Sequence, residues 1–284
     1  MAFDTLNPNL RPVADAGMRF LIGRYGRNGL KTDSEIDAAI SWKPSILVKP
    51  SRVMIVAAEV EEELYPTILK IAGHDIKHFE HPVSVYVICP LDIFLADKKQ
   101  TTTRQLKRHG FGIITVDDDG VATMQHSAVP LAQHISEEDL DSEIRALSPN
   151  LKVRFKAAHT TYQVREGQGL QEAGQIVEAI VNAMADEAVR KGVVSRGQLG
   201  NSAANTIDAL YALNAFRDYR ATLGGARQFM REYRNIASHA PRSAAQAMEK
   251  IRKCRVGFLD AVRSARDLHA AMKRLGYRLT IHVP

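Results

Sequence analysis

The chain is poor in cysteine, in aromatic side chains and in long apolar runs, and each shortage removes a class of protein. Cys89 and Cys254 are the only cysteines in 284 residues. Neither sits at a metal-ligand spacing, and each lies inside an apolar pattern. A disulfide scaffold is therefore excluded, and two reduced, buried thiols in a cytoplasmic protein are expected. No apolar run approaches the roughly 18–20 residues that span a bilayer, so no membrane partner is expected. The stretch Met1 to Arg11 has no basic segment followed by an apolar core, which gives no secretory signal. No low-complexity tract and no internal repeat occurs. Gly23-Arg24-Tyr25-Gly26-Arg27-Asn28-Gly29 has the look of a phosphate loop, but no clear strand precedes it and no Gly-Lys-Ser/Thr follows. It reads as a turn-rich connection. His74 and His78 would align on a helix, but Gly73 and Pro82 crowd their stretch into a loop. Asp117-Asp118-Asp119 lacks the later glutamate of a calcium loop. No metal site and no cofactor is expected.

Apolar residues make up 45 % of the chain, enough for real cores, and the length suits two ordinary domains. Net charge is +6 but unevenly spread. Residues 1–150 hold 16 Lys/Arg against 21 Asp/Glu, and residues 151–284 hold 22 against 11. The split of −5 and +11 points to two domains, with a polyanion partner for the second.

Residues 1–32 read as a polar, glycine-punctuated approach. Asp33 caps a short helix through Ser41. Ser45 to Val48 is a strand, Lys49 to Arg52 a turn, and Val53 to Val60 a buried strand. Glu62 to Ala72 is a helix ending on Gly73. Val83 to Cys89 is a strand, Leu91 to His109 mostly helix, and Phe111 to Val116 a strand. Asp117 to Gly120 turns the chain into Val121 to Met124. This order predicts an α/β N-terminal domain with a mixed sheet. Residues 126–150 read as loop, with an acidic run from Glu137 to Glu143, and the boundary falls near Ser148-Pro149-Asn150. Beyond it the apolar period changes to three and four. Helices are expected over about 170–190, 203–220, 226–239 and 243–275, with a break at Gly224-Gly225, a Ser243 cap and a short final strand. The second domain is thus an all-α bundle.

Residues 231 to 241, Arg-Glu-Tyr-Arg-Asn-Ile-Ala-Ser-His-Ala-Pro, carry the chemistry. Arg234 cannot lose its charge, whereas His239 exchanges a proton near neutral pH. Five positions apart in a straight helix, they point about 140° from each other. They converge only if the helix ends between them, which Pro241 favours. Asn235 can orient the histidine or hold a phosphate oxygen. Such a set suits RNA cleavage without metal. The ribose 2′-hydroxyl attacks the adjacent phosphate, the imidazole moves the proton, and the arginine stabilises the phosphorane. One histidine and one arginine are few for this, so two copies across a symmetric dimer are expected. Arg227, Arg231 and Arg242 flank the stretch and are the RNA-binding candidates. Arg252, Lys253, Arg255, Arg263, Arg266, Lys273 and Arg274 give the last helix a basic character, with few aromatics to stack bases.

The stretch Arg234-Asn235-Ile236-Ala237-Ser238-His239 resembles the signature of the HEPN ribonuclease family: an arginine, four to six residues, then a histidine, typically with Asn, Asp or His after the arginine. The resemblance covers roughly residues 165–275. It implies a helical bundle of four to five helices that dimerises through its C-terminal helices and cuts RNA in a composite, metal-independent cleft. Arg234 and His239 are then catalytic and Asn235 supporting, and the chain is a toxin or antiviral-defence effector. Some HEPN domains lack activity and only dimerise or bind nucleic acid, which is the alternative.

Lys43 to Val48 followed by Glu59-Val60-Glu61 resembles the core of the restriction-endonuclease fold over about residues 33–125. That family places an aspartate on the first strand and Glu-x-Lys on the second. Ser45 stands where the aspartate would be and Glu61 where the lysine would be, so only Glu59 matches. The resemblance implies a non-catalytic sensor or docking domain over residues 1–150 that meets a protein or nucleotide trigger, with metal-dependent DNA cleavage through Glu59 as the weaker alternative.

Overall fold

The structure is a computed structural model. It describes all residues except 1, 2, 4, 5, 39, 52, 65–75, 77, 78, 239, 279, 280 and 282–284, and the side chains at 234 and 238 are likewise outside the description. The chain divides into two compact units. The first comprises Met1–Glu137 and Ala240–Glu249, the second Glu138–His239 and Lys250–Pro284.

In the first unit, six strands form one mixed sheet in sequence order: β1 (Lys31–Thr32), β2 (Ile46–Ser51), β3 (Met54–Val60), β4 (Val83–Pro90), β5 (Gly112–Val116) and β6 (Ala122–His126). β3, β4 and β5 run parallel, and the remaining neighbours pair antiparallel. The parallel strands are mainly apolar because both faces are covered, with Glu59, Ser84 and Thr115 as their polar exceptions. Ile55, Ala57, Val85, Val87 and Ile113 face one core with Trp42 and Leu106. Val56, Ala58, Tyr86, Ile88 and Ile114 face the other with Ala14 and Leu21.

Those last two residues belong to α1 (Arg11–Tyr25), a helix where only a polar approach was expected. Its buried positions include Ala14, Ala16 and Gly17, too small to raise an apolar signal. They let the helix lie close to the sheet, and a Cβ at Gly17 would press on Ile88. The glycine-rich stretch proves to be the end of α1 and the turn after it, with Gly26 and Gly29 at positive φ. No helix covers the described residues of 33–41. Asp33 has φ +46°, which a helix start does not accept, and Ile36 and Ile40 reach the core from irregular backbone. The expected turn at residues 49–52 is shorter, since β2 extends through Ser51. The segment 91–109 forms two helices, α2 (Leu91–Ala96) and α3 (Thr101–Arg108). Asp97 ends the first and caps the second, accepting from the backbone of Thr101 at 2.9 Å and Thr103 at 2.8 Å. The helix expected over 62–72 falls largely outside the described residues, as do His74 and His78.

The second unit is helical: α4 (Glu137–Ile144, its first residue in the first unit), α5 (Pro149–Val164), α6 (Glu166–Arg190), α7 (Ala203–Ala212), α8 (Arg220–Ser238) and α9 (Ala244–Arg274, from Lys250 onward in this unit). α5 and α6 form a hairpin, and α8 packs on both α6 and α7. Tyr162 of α5 meets Phe258 of α9 with ring centroids 4.8 Å apart. The expected break at Gly224-Gly225 is absent. α8 passes through both glycines because Leu223, Ala226, Phe229, Met230 and Tyr233 bury one continuous stripe. The helix expected over 203–220 instead ends at Ala212 and gives way to a 3-10 turn over Asn214–Tyr219. Both cysteines are buried and free, and burial pushes each thiol up to about 12. Among the described residues no helix is long and apolar enough to cross a membrane.

Two glycines in this unit predict opposite outcomes. A Cβ at Gly174 of α6 would overlap the Tyr233 ring. Gly174→Ala should cost about 1–3 kcal/mol. Gly225 has nothing within 4 Å of a Cβ. Gly225→Ala should therefore raise stability by about 0.5–1 kcal/mol through its helix propensity. Urea midpoints followed by helical circular dichroism check both.

Candidate functional site

α8 carries the candidate stretch in its last turn. Tyr233 is buried, its ring 5.0 Å from Phe229 and its hydroxyl donating to Glu178 of α6. This sets which way the turn faces. Positions 234 and 235 follow in regular helix, and the helix continues to Ser238. Ala240 and Pro241 lie outside it. His239 itself lies outside the described residues.

Asn235 is exposed and stands on the wall of a groove of about 730 Å³ between α8 and α9. Phe229, Tyr233 and Ile236 line it from α8, and Val256 and Gly257 from α9. Val256 is 56 % exposed there. The charges on the groove balance: Arg252, Lys253 and Arg263 against Glu232, Asp260 and Asp267. Burial raises the pKa of Asp260 despite Arg263 at 3.6 Å, and Glu232 adds to the rise. The groove is thus polar-rimmed and apolar-based, not a simple anion funnel.

Arg227 and Arg231 point elsewhere. Both bind Asp208 of α7, Arg231 at 2.9 Å. Burial works to raise the pKa of Asp208, but the hydrogen bonds from Arg231 and Arg227 prevail and lower it. The guanidinium of Arg227 also lies 5.4 Å from the centroid of Tyr211, and that of Arg220 lies 5.9 Å from it. Two of the three RNA-binding candidates, Arg227 and Arg231, are thus brought together on Asp208. Arg242 belongs to the segment grouped with the first unit, where its backbone N–H donates to Gln246 Oε1 at 2.9 Å. Asp208, Tyr211 and Arg220 were not singled out from the sequence. The α-helical spacing of Arg220, Arg227 and Arg231 is legible there, but their partners on α7 are joined only by packing.

The basic character of α9 is also partly neutralised. Arg263 and Arg266 meet Glu143 of α4 at 3.8 and 2.7 Å. Because the second unit starts at Glu138, four carboxylates of the acidic run belong to it. Its sequence holds 22 Lys/Arg against 14 Asp/Glu, a net +8.

In the first unit, Ser45 and Glu59 stand face to face across the β2–β3 hairpin. Ser45 Oγ donates to Glu59 Oε1 at 2.7 Å, and Trp42 Nε1 donates to Oε2 at 2.8 Å. Both carboxylate oxygens are thus engaged. Among the described residues no group of three or more His, Cys, Asp or Glu side chains is placed to hold a metal. Glu61, just beyond β3, has its pKa raised to about 7 by burial first, then by Glu59 and Glu63. Asp117-Asp118-Asp119 forms the expected turn, with Val121 N–H donating to Asp117 Oδ1 at 2.8 Å.

A carboxyl with a raised folded pKa binds its proton more tightly folded than unfolded. Its contribution to stability is complete below about 4.5 and is lost as pH rises to about 7. Glu61→Gln should therefore stabilise the first unit at pH 7.5 and leave it unchanged at pH 4. The gain should be about 1 kcal/mol, because partial exposure screens the effect. Urea unfolding followed by Trp42, the sole tryptophan, reads this out.

Compared with known proteins, the chain matches no protein-family model, no curated protein and no solved structure.

Proposed function

We propose that the chain is a metal-independent endoribonuclease of HEPN type, in which a homodimer of the helical unit cuts RNA with Arg234, Asn235 and His239. The observation that carries this reading is the placement of the stretch. α8 carries residues 234 and 235 near its C-terminal end and is described to Ser238, and Ala240 and Pro241 lie outside it. Asn235 stands exposed on the wall of the groove of about 730 Å³, which Arg252 and Lys253 also line.

The chemistry follows from the residue types. The 2′-hydroxyl loses its proton to an imidazole and attacks the neighbouring phosphorus. The P–O5′ bond breaks, leaving a 2′,3′-cyclic phosphate, and a second imidazole protonates the departing 5′-oxygen. An arginine on the non-bridging oxygens stabilises the phosphorane. A second copy of the chain supplies the second histidine. The first unit, whose sheet carries the degenerate restriction-endonuclease-like pattern, acts in this reading as the sensor or docking part. A toxin or antiviral-defence role goes with it.

A non-catalytic dimerisation or nucleic-acid-binding protein is the second reading. The balanced charge of the groove and the pairing of Arg227 and Arg231 with Asp208 favour it. A metal-dependent DNA nuclease is the third, with both oxygens of Glu59 already engaged against it.

Single-stranded RNA incubated with the protein in EDTA separates them. The expected outcome is chelator-resistant cleavage into 2′,3′-cyclic phosphate products, slowed at least about 100-fold by Arg234→Ala or His239→Ala. Cleavage that needs Mg²⁺ and survives His239→Ala would sink the first reading. A monomer at micromolar concentration by sedimentation would remove the composite cleft.

A further inference from the structure

The arginines that turn away from the groove form a feature of their own. Arg220, Arg227 and Arg231 are spaced seven and four residues apart, so they fall on one stripe of α8 about 16 Å long. Position 234 continues the stripe by spacing, three residues on. Among the described residues, the carboxylate paired with this stripe is Asp208, which is one-third exposed. Arg231 is 54 % exposed, and Arg220 is exposed. Tyr211 lies beneath two of the guanidinium groups.

We propose that this ledge of Asp208, Tyr211, Arg220, Arg227 and Arg231 binds the phosphate backbone of single-stranded RNA and leads the strand to the last turn of α8. Asp208 then acts as an internal stand-in for a phosphodiester. It is a tetrahedral phosphate's planar counterpart, an anion whose two oxygens each accept one hydrogen bond from a different guanidinium. When RNA arrives, a phosphate shares or takes over these donors. Tyr211 holds the guanidinium groups of Arg220 and Arg227 beforehand, so less side-chain entropy is lost on binding, while Asp208 competes with the phosphate. One aromatic ring beside a row of cations suits a flexible single strand, whose bases can reach a ring face, better than a duplex. The choice of RNA over another polyanion rests on the ribonuclease reading, because the stripe runs into the Arg234–His239 stretch.

The test uses the full chain and a fluorescein-labelled, 2′-O-methyl-substituted RNA of about twenty nucleotides, which cannot be cut because its 2′-oxygen is blocked. Anisotropy titrations run from about 50 to 200 mM salt. Arg220→Gln leaves the Asp208 pairs intact. It should weaken binding about fivefold and reduce the salt slope by about 0.7, the loss of one phosphate contact on a single strand. Asp208→Asn removes the competing carboxylate and should tighten binding by a similar factor. A purely structural cluster behaves differently: Asp208→Asn lowers the melting temperature, and neither variant changes RNA affinity. That result overturns the proposal. Equal affinity for polyglutamate or for duplex DNA overturns the assignment to single-stranded RNA. Cleavage of unmodified RNA is measured alongside. Cleavage that persists while Arg220→Gln leaves binding untouched sinks the ledge alone. Binding that follows the ledge without any cleavage sinks the ribonuclease reading and leaves the ledge standing.

Discussion

The setting of α8 depends on one contact, the ring of Tyr233 in the notch that Gly174 leaves in α6. A helix can rotate about its axis until something large is locked in place, and here the lock lies one residue before Arg234. The Tyr233 hydroxyl on Glu178 and its stacking on Phe229 hold the ring from two further directions. With position 233 turned inward, 227 and 231 fall on the side that meets Asp208 of α7, and Asn235, next to 231 on the helix surface, stands at the edge of the groove. The groove and the arginine ledge are consequences of that rotation.

Electrostatics in the helical unit is arranged in pairs more than in fields. Glu143 gathers Arg263 and Arg266, Asp208 gathers Arg227 and Arg231, and Glu187 holds Arg190 with two hydrogen bonds at 2.9 and 2.6 Å. The more exposed of these pairs contribute little stability each. Their larger effect is positional, since each guanidinium is held where a long side chain would otherwise wander. Where two arginines share one carboxylate, a local excess of positive charge survives, and α8 is one such place.

The sheet of the first unit follows a different logic. Its three parallel strands are covered on both faces, so a polar side chain at a strand end must find its partner within the unit. Glu59 does so with Trp42 and Ser45, two residues that approach it from the segment just before β2. The serine at the position where an aspartate would complete a metal pair serves the glutamate as a hydrogen-bond donor. The proton of Glu61 is held to neutral pH by burial first and then by the nearby carboxylates of Glu59 and Glu63.

Much of the fold is legible in the residues. The apolar runs of β3, β4 and β5 announce buried strands, and Ile176, Val177, Ile180, Val181 and Met184 announce α6 by their period. Ser243 before α9 was readable as a cap, and Gln246 N–H does donate to its hydroxyl at 3.3 Å. Signals failed where packing replaced side-chain size. α1 buries alanine and glycine against Ile88, and Ile36 and Ile40 reach the core without a helix. At the candidate site, the identity of Arg234, Asn235 and His239 and their place at a helix end came from sequence, because spacing and a following proline are local properties. Which arginines stand together is not local. Asp208 lies 19 residues from Arg227 and 23 from Arg231, and only the packing of α7 on α8 brings that carboxylate between them.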